Sequence, residues 1–359
     1  MKKSLLALAV LGAYAGVASA QSSVTLYGTV DLNARYLKQD VTSGEDHRYS
    51  MGRDGINSSQ LGFRGIEDLG GGLKAGFLLL SSVGADSGDI GAGQSAAGSG
   101  KFWTRRATVS LFSNAGELRL GRDYTPTFWN NTIFDAFGTN GIGDSTAGIL
   151  QLATTTFVRA DNSIGYFLPA NIGGFYGQFM GATSEAGQAG QTSNNGRYLG
   201  GRVGFAAGPF DVAFAYAQQR TAAGPNTDQD TWNIGGAYDF GFAKLMGYYV
   251  HDKRDNTGKE DRWSISGVIP MGQGEIHLGY AQSKLDLDNP LLFDNKQKKY
   301  MATYQYNLSK RTAMYGTVAL LDNGDGARAS LAGGTSAPTG VGEFGGKSKG
   351  FELGIRHFF

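Results

Sequence analysis

Hydrophobic and polar side chains alternate with a period of two along most of this chain. In residues 24–36, one set of alternate positions holds Val, Leu, Gly, Val, Leu, Ala and Tyr, and the other holds Thr, Tyr, Thr, Asp, Asn and Arg. A strand places each set on one face, whereas a helix would scatter both sets around its surface. The second set is too polar for the core of a β-sandwich. The pattern therefore predicts a barrel whose outer face contacts lipid and whose inner face contacts water.

Sixteen segments of this kind follow one another, an even number that is typical of bacterial single-chain barrels. Short turns and long polar connections alternate between them, an asymmetry known from outer-membrane barrels with short periplasmic turns. The predicted short turns are residues 69–72, 114–116, 169–173, 207–209, 239–241, 270–274 and 308–311. The predicted long polar connections are residues 37–56, 82–101, 181–197, 220–230, 251–261, 284–298 and 322–348.

One further connection, residues 127–156, is rich in large hydrophobic side chains, and we call it the long loop. These side chains are Phe128, Trp129, Ile133, Phe134, Phe137, Ile142, Ile149 and Leu150. A connection of about thirty residues far exceeds the usual two to six and is normally either functional or disordered. Because a loop with this composition must bury its side chains, we predict that it folds into the barrel and sets the width of a pore. The predicted fold is an all-β, transmembrane, antiparallel 16-stranded β-barrel with an inward-folded third external loop.

The first twenty residues have the pattern of a secretory signal peptide. Lys2 and Lys3 precede an apolar run from residue 5 to residue 17, and Ala18-Ser19-Ala20 is a small-residue cleavage site. We therefore expect residues 1–20 to be removed and residues 21–359 to form the barrel. Removal leaves 30 of the 32 Lys and Arg residues against 31 Asp and Glu residues, a net charge near −1. This balance argues against a general nucleic-acid binder.

Composition narrows the class of protein further. The chain has no cysteine, so disulfide bonds do not stabilise it. After residue 20 it offers no run of about 18 apolar residues, the length that a membrane helix requires. A membrane protein of this kind crosses lipid as a closed barrel, because lipid cannot satisfy the hydrogen bonds of open backbone.

Seven stretches of the chain, in the same order, resemble one known family. They are SVTLYGTVD (23–31), SQLGFRGIEDLGGGLKA (59–75), RRATVSLFSNAGELRLGRDYTP (105–126), DAFGT (135–139), RADNSIGYFLP (159–169), YNLSKRTAMYG (306–316) and GIRHFF (354–359). The chain resembles the trimeric general-diffusion porins of Gram-negative outer membranes, above all their β-proteobacterial branch. The resemblance implies a homotrimer in outer-membrane lipid and lipopolysaccharide, with a constriction formed by the third external loop. It also implies that the terminal Phe359 is the signal read by the barrel-assembly machinery.

Two features depart from the family pattern. The inward positions Gly76, Leu78 and Leu80 are apolar where relatives place polar residues. Either the strand register differs there or this wall packs under an inserted loop. The long loop also has only two acids, Asp135 and Asp144, so the family's ion selectivity does not transfer directly.

Charged side chains that face one another across a narrow channel decide which ions pass. Strand parity turns five polar side chains of the predicted wall toward the lumen: Gln60, Arg64, Arg106, Arg119 and Arg159. Parity alone turns Arg122 outward, although the resemblance places it in the same basic cluster. Because a charge on the lipid face at the midplane costs ~2–4 kcal/mol, we expect a twist or bulge to turn Arg122 inward. Asp135 and Asp144 are the acids expected to oppose this pore constriction from the long loop.

These residues predict a water-filled channel for passive diffusion of ions and small hydrophilic solutes. Arginines outnumber the loop acids, so we expect a weak preference for anions. Any single arginine is better explained by solvation or by a neighbouring acid such as Glu67, Glu117 or Asp123. The set of Arg64, Arg122 and Arg159, which converge by motif, favours the constriction. Two alternatives remain: a substrate-selective porin for small anions such as carboxylates or phosphate, and a non-channel surface barrel acting as an adhesin or a lipid-active enzyme.

Motifs for catalysis and metal binding are weak. His277 is the inward-facing histidine and lies beside Glu275, but no serine stands at a recognisable spacing for a catalytic set. The run DNGDG (322–326) lacks the bidentate glutamate of a calcium loop. We therefore expect a protein that is not an enzyme and that uses no cofactor or metal.

Overall fold

Sixteen antiparallel strands of this chain close into one barrel. The computed structural model describes residues 23–91, 101–154, 156–170, 172–184, 196–220, 228–289, 295–332 and 337–359. The predicted signal peptide, residues 1–20, lies outside the described residues, and its removal stays a prediction. No helix within the described ranges has both the length and the apolar character needed to span a membrane.

The sixteen strands of the barrel follow one another in chain order, and each of them pairs with the next. The strands of the described residues are β1 (Ser23–Gln39), β2 (Val41–Ser43), β3 (His47–Arg53), β4 (Gln60–Gly70), β5 (Leu73–Gly84), β6 (Asp89–Ile90), β7 (Arg106–Ser113), β8 (Gly116–Tyr124), β9 (Arg159–Phe167), β10 (Phe175–Ala182), β11 (Tyr198–Ala207), β12 (Phe210–Arg220), β13 (Asp228–Asp239), β14 (Lys244–Arg254), β15 (Gly258–Met271), β16 (Gly274–Leu287), β17 (Asn295–Asn307), β18 (Thr312–Asp322), β19 (Val341–Gly342) and β20 (Lys347–Phe358). The helix α1 (Pro126–Ile133) follows β8. Four short strands, β2, β3, β6 and β19, lie outside the count of sixteen. β2 pairs with β19, and β6 pairs with β5. β3 pairs with the second half of β1, next to the segment of β1 that pairs with β4.

The first and last strands close the barrel. β1 and β20 pair without a register shift from Thr29 opposite Phe358 to Gln39 opposite Ser348. The terminal Phe359 continues this ladder, since its backbone exchanges two hydrogen bonds of 3.1 Å with Gly28. Because the barrel is closed, the backbone N–H and C=O groups of its first and last strands are paired with each other, as a sheet in lipid requires.

Alternate residues face opposite sides of the wall, as predicted from the period of two. In β1, Asp31 and Asn33 are 0% and 3% exposed, whereas Val24 and Leu26 are 65% and 54% exposed. The hydrophobic and polar pattern of β18 does not show which of its two faces is turned toward the lumen. The structure turns its Met314 and Val318 outward and buries Tyr315 and Leu321 on the inner side.

Two predicted long connections are largely strand: residues 37–56, which contain β2 and β3, and residues 251–261. Residues 251–261 are almost entirely strand, because β14 continues to Arg254 and β15 begins at Gly258. Their turn is three residues long, and Asn256 takes the left-handed conformation with φ of 55°. Asparagine tolerates this conformation better than most residues, which explains the tight turn.

The apolar positions of β5 do face the lumen. β5 pairs with both neighbours without a shift through this region, so a changed register is not the explanation for Leu78 and Leu80. Leu80 is buried beside the ring of Tyr27, and both lie within 2.8 Å of where a Cβ on Gly62 would stand. The absence of a side chain at Gly62 creates the space in which Tyr27 covers Leu80.

The wall is interrupted between β3 and β4. Asp54 has φ of 62°, and the following residues leave the ladder. The buried carboxylate of Asp31 accepts the backbone N–H groups of Ile56 and Asn57 at 2.9 and 2.8 Å. These bonds hold residues 54–59 against the inward face of β1, and Ser58 is thereby placed beside the long loop.

Candidate functional site: the long loop and the arginine wall

The long loop leaves β8 through α1, and hydrogen bonds hold this helix against the inner wall. Pro126 opens the helix, where its fixed φ suits the first turn. Asn130 Nδ2 donates to Ala213 O at 3.2 Å and to Asn233 Oδ1 at 2.9 Å. Asn233, fully buried on β13, donates in return to Thr127 O at 2.9 Å. Two reciprocal asparagines therefore fix the start of the loop on the inner side of the barrel.

Two phenylalanines of the long loop pack on glycines of the wall. A Cβ on Gly235 would lie 2.2 Å from the ring of Phe134, and a Cβ on Gly279 would lie 2.5 Å from the ring of Phe137. Both rings are buried, at 1% and 7% exposure. Ile142 and its neighbours then join a core with inward residues of β1, β16, β17 and β18. Burial of these side chains supplies the hydrophobic free energy that holds the loop on the wall.

A buried carboxylate binds the end of the long loop. Glu260 accepts the backbone N–H groups of Gln151 and Leu152, with the shortest bond at 2.7 Å. Arg262 pairs with Glu260 at 3.0 Å and with Asp252 at 2.8 Å, and all three charged groups are at most 1% exposed. Because a buried charge is costly without partners, the loop backbone and Arg262 together make this arrangement stable.

Two further buried charges bind the middle of the long loop. Lys299 donates to Asp144 O at 2.6 Å and to Ala147 O at 2.9 Å. Glu352 accepts the backbone N–H of Ile142 at 3.3 Å. Both wall residues are fully buried. Backbone groups of the loop, which would otherwise be buried without partners, are thus satisfied by the wall.

His277 also binds the long loop. Its Nδ1 donates to Ala136 O at 2.7 Å, and Ala136 N donates to Ser266 Oγ at 2.9 Å. Nε2 of the same ring lies 3.2 Å from Glu275 Oε1. The inward-facing histidine that the sequence singled out therefore holds the loop in place. Together these contacts run from β12 to β20 and place the long loop on that part of the inner wall.

Two buried arginines meet on one tyrosine beside the start of the long loop. Arg105 and Arg159 donate to Tyr124 Oη at 3.0 and 2.9 Å, and Arg159 also lies 4.4 Å over the tyrosine ring. The guanidinium groups lie within about 6 Å of each other, so their fields add. Arg105 donates in addition to Ser58 Oγ at 3.0 Å, and Ser58 donates to Asn140 Oδ1 at 2.8 Å. Asn140 belongs to the long loop, so hydrogen bonds connect the loop to the arginine pair.

Arg106 and Arg119 share a carboxylate. Arg106 Nε lies 2.8 Å from Asp123 Oδ1, and Arg119 binds the other oxygen of Asp123. Arg119 also binds Glu117 through two bonds of 2.8 and 2.9 Å. The two arginines and two acids form a group without net charge.

Gln60 and Arg64 lie on β4. Gln60 is half-buried and stands opposite Ser82 of β5. Arg64 is exposed, its guanidinium carbon lies 5.3 Å from the ring centre of Tyr27, and no carboxylate pairs with it among the described residues. Its charge is therefore available to an ion in the lumen.

Arg122 lies where the β8–β9 ladder shifts register. The bulge expected from the sequence is present, and Asn162 of β9 takes its left-handed conformation, with φ of 50°. Arg122 nevertheless stays opposite Ala107 and donates to Thr104 O at 2.8 Å and to Asp161 Oδ1 at 2.7 Å. The bulge thus leaves Arg122 in an ion pair with Asp161 and outside the pair that binds Tyr124.

The two acids of the long loop form hydrogen bonds within the loop. Asp135 is 5% exposed and accepts from Phe137 N at 3.2 Å and from Ser145 Oγ at 2.9 Å. Asp144 Oδ1 accepts both the N–H and the hydroxyl of Thr146 at 2.7 Å. These carboxylates therefore shape turns of the loop.

Comparisons with known proteins identify the family. The family model described as Gram-negative porin matches residues 7–326 of the chain. Outer membrane porin protein 32 of Delftia acidovorans is 42% identical over 371 aligned residues that cover both chains completely. The chain belongs to the Gram-negative porin family. An outer membrane porin protein of Bordetella pertussis is 30% identical, over 88% of this porin and 93% of the relative.

Solved structures agree with this assignment. The porin matches the anion-selective porin from Comamonas acidovorans with a TM-score of 0.79 and 38% identity, over 94% of this chain and 100% of that chain. OmpT of Vibrio cholerae has a TM-score of 0.66 at 14% identity, over 94% and 98% of the two chains, which shows a shared fold. The predicted family, the 16-stranded barrel and the outer-membrane location are confirmed. As a family member, the protein is a multi-pass outer-membrane channel.

The sequence pattern missed two residues that organise the site of this porin. Arg105 precedes the regular part of β7, so strand parity did not predict its direction. Tyr124 has the parity of the outward residues Leu118 and Leu120, yet it is buried because β8 ends there and the chain turns into α1. The doubled arginine at 105–106 is the signal in the sequence that marks a basic site at Arg105.

Proposed function

We propose that this porin is a passive, water-filled channel with a weak preference for anions, constricted between the long loop and the wall of β4 to β9. The observation that supports it most is the arginine pair, in which Arg105 and Arg159 share the hydroxyl of Tyr124. The proposal keeps Gln60 and Arg64 as residues that line the approach to the constriction. It is consistent with the related Comamonas structure, which is described as an anion-selective porin.

The balance of charge supports an anion preference. Arginine is always protonated in proteins, so the pair carries two positive charges at any working pH. Asp135 and Asp144 accept hydrogen bonds inside the loop, and Arg106 and Arg119 are neutralised by acids of β8. A narrow lumen with low-dielectric walls concentrates the field of the remaining arginines on passing ions. The expected preference is weak, because water in the channel screens these charges.

We also propose that the porin is a homotrimer surrounded by outer-membrane lipid and lipopolysaccharide, and that Phe359 is read by the barrel-assembly machinery. A structure of the related Vibrio cholerae OmpT is described as a trimer form. The position of Phe359 at the closing seam supports a role in assembly, since the last residue completes the β1 pairing.

Planar-bilayer recordings with asymmetric KCl test the channel and its selectivity together. We expect ohmic single-channel currents with a reversal potential that reports chloride as more permeant than potassium. A reversal potential that reports potassium as more permeant contradicts the anion preference. Absence of ohmic current contradicts the channel and favours an adhesin or lipid-active barrel.

Liposome swelling separates general diffusion from substrate selectivity. Neutral sugars of increasing size should enter at rates that fall with size alone. If a small carboxylate or phosphate ester enters far faster than a neutral solute of equal size, the channel is a substrate-selective porin for anions.

A further inference from the structure

Five aromatic or aliphatic side chains face the lumen where the wall of a water-filled channel is expected to be polar. We call them the apolar strip, and they are Tyr27 of β1, Ile66 of β4, Leu78 of β5, Phe112 of β7 and Phe167 of β9. On each strand they share the parity of residues that face the lumen, which are Asp31, Arg64, Leu80, Ser110 and Ser163. Ile66 is 56% exposed, and the other four are partly exposed. Large apolar side chains that water reaches are unusual enough to indicate a binding surface.

Two glycines give the members of the apolar strip their positions. A Cβ on Gly76 would lie 3.0 Å from the ring of Phe112 and 3.5 Å from Ile66 Cγ1. A Cβ on Gly62 would lie 2.6 Å from the ring of Tyr27. Because neither glycine has a side chain, these apolar groups lie against the wall and beside one another.

The apolar strip crosses the wall from β1 to β9. Leu78 stands opposite Arg64 on one side and Thr108 on the other. Glu117 stands opposite both Phe112 and Phe167. Residues paired in this way lie roughly 5 Å apart. The strip therefore forms one surface, which also contains Arg64 and Glu117.

Arg64 supplies a positive charge at the centre of the apolar strip. Its guanidinium carbon lies 5.3 Å from the ring centre of Tyr27, and the exposed Ile66 is two residues further along β4, about 7 Å away. Among the described residues, no carboxylate forms an ion pair with Arg64. A guanidinium group that stacks on an aromatic ring still presents N–H groups at its edge to a carboxylate.

The acids near the apolar strip do not cancel this charge. Both oxygens of Glu117 bind Arg119, at 2.8 and 2.9 Å. Asp68 stands opposite Lys74 at the turn end of the wall. Glu67 has the parity of the outward residues of β4 and faces away from the lumen. The charge at the centre of the strip is therefore positive.

The apolar strip lies between the arginine pair and the short turns. Phe112 is seven residues further toward its turn than Arg105, a distance of about 23 Å along a strand. In the part of the chain that the structure describes, the hydrophobic clusters that contain long-loop side chains include none of the five members of the strip. Packing against the long loop therefore does not explain the apolar positions of β5.

We propose that this surface binds aromatic carboxylates, with the carboxylate on Arg64 and the ring against Ile66 and Leu78. The fork of a guanidinium group matches a carboxylate, and contact between the ring and the strip removes apolar surface of both from water. A planar ring also suits the aromatic faces of Tyr27 and Phe112. A small hydrophilic anion uses the arginine alone. The inference rests on the proposed channel function, since solutes reach the strip only through the lumen.

The test is inhibition of the chloride current of the purified full-length porin in planar bilayers. The current is titrated with benzoate, with acetate, which has the charge without the ring, and with benzamide, which has the ring without the charge. We expect benzoate to halve the chloride current at a concentration about tenfold lower than acetate, because its ring leaves water on binding. Benzamide should inhibit as weakly as acetate.

Two variants separate the contribution of the ring from that of the charge. Ile66→Thr with Leu78→Gln should remove most of the advantage of benzoate over acetate. It should leave the chloride current in place, because polar side chains are usual on the inner face of such barrels. Arg64→Gln should weaken inhibition by benzoate and by acetate by a similar factor.

Arg202→Gln is the matched control for the charge. Arg202 also lies over an aromatic ring of the inner wall, 5.1 Å from the ring centre of Tyr176. Its neighbours in the sheet are Gln178 and Ala215, so it has no large apolar side chain opposite it. Its substitution should leave the ratio of benzoate to acetate inhibition unchanged.

The outcomes distinguish failure of the channel from failure of the binding site. Absence of ohmic current in the unmodified porin refutes the channel itself. A porin that conducts chloride but is inhibited equally by benzoate and acetate refutes the binding site alone. Equal inhibition by benzamide shows that the charge is not used, and equal inhibition by cyclohexanecarboxylate shows that a planar ring is not preferred. Either result contradicts the proposal.

A single substitution covers the case in which the double variant does not fold, as judged by heat-stability on electrophoresis. Ile66→Thr then replaces it, because the side chain of Ile66 is mostly exposed and its loss leaves no cavity in the wall. An unchanged advantage of benzoate over acetate in that variant excludes the apolar strip from binding.

Discussion

At the scale of single residues, Tyr124 organises the charge of the candidate constriction. Its hydroxyl binds the guanidinium groups of Arg105 and Arg159, and its ring packs nearly parallel to Phe128 of α1 at 5.7 Å. The same residue therefore connects the basic wall to the start of the long loop. Both arginines are buried, and the tyrosine oxygen that accepts a hydrogen bond from each offsets part of their mutual repulsion.

Replacing Arg159 by alanine should shift the ion preference of the channel toward cations. A unit charge about 6 Å from an ion contributes ~0.7 kcal/mol in water, so we expect the chloride-to-potassium permeability ratio to fall about threefold. Reversal potentials in asymmetric KCl measure this ratio. Arg220→Ala is the matched control, since Arg220 lies at the end of β12 in an ion pair with Asp228. An unchanged ratio in the Arg159 variant would exclude this arginine from the constriction.

At the scale of elements, the long loop is held by contacts distributed along its length. Its start is bound through Asn130, its middle through Lys299 and Glu352, and its end through Glu260. The hydrophobic side chains predicted the burial of this segment, since they had to leave water. The wall residues on which the loop packs were not predictable, because nothing in the sequence distinguishes a glycine such as Gly235, which contacts a loop side chain, from other glycines of the wall.

Replacing Glu260 by glutamine should loosen the end of the long loop. The change leaves Arg262 with Asp252 as its remaining ion-pair partner and weakens the acceptor for Gln151 and Leu152. Breaking a buried ion pair costs about 3–5 kcal/mol, so we expect a lower midpoint of urea unfolding in lipid vesicles. Open-channel current noise should increase, because the loop end moves more freely.

The control for this experiment is Glu67→Gln, a substitution at an exposed position near the turn between β4 and β5. It removes the same charge without affecting the loop. If both variants unfold and conduct like the unmodified porin, Glu260 does not anchor the long loop.

Deleting residues 132–147 should enlarge the channel. This segment carries Phe134, Phe137 and Ile142, which fill the space between the loop and β13 to β20. We expect a higher single-channel conductance and faster entry of larger sugars in liposome swelling. Heat-stability of the barrel on electrophoresis serves as the folding control. An unchanged conductance in a folded variant would mean that the long loop does not limit the current.

At the scale of the whole molecule, closure of the barrel depends on its two termini. Phe359 binds Gly28 through two backbone hydrogen bonds, and its ring occupies the space above Gly28, 2.4 Å from where a Cβ would stand. Each such bond contributes about 0.5–1.5 kcal/mol. The seam is therefore weakly held at its end, so a defect there affects assembly more than the stability of the finished barrel.

Deleting Phe359 should lower the amount of folded porin in the outer membrane several-fold, whereas Phe359→Tyr should retain it, because the ring and the backbone pairing are kept. Quantitative immunoblotting of outer-membrane fractions measures this. Refolding of both variants in detergent separates the two causes of a loss. Normal refolding with poor assembly in cells supports a recognition signal, and poor refolding of the deletion variant contradicts it.

The sequence by itself determined the barrel, its sixteen strands, the facing of most of them and the presence of a buried loop between β8 and β9. Each of these follows from a period of two or from the burial of local hydrophobic residues, and both are readable in short windows of the chain. Only the tertiary structure decided which arginines meet. Arg105 and Tyr124 stand where strands end, and Arg122 stands where a ladder shifts register, so parity does not predict their partners. β14 and β15 likewise extend to Arg254 and from Gly258 because they pair with each other. The polar composition of these residues predicts a loop instead.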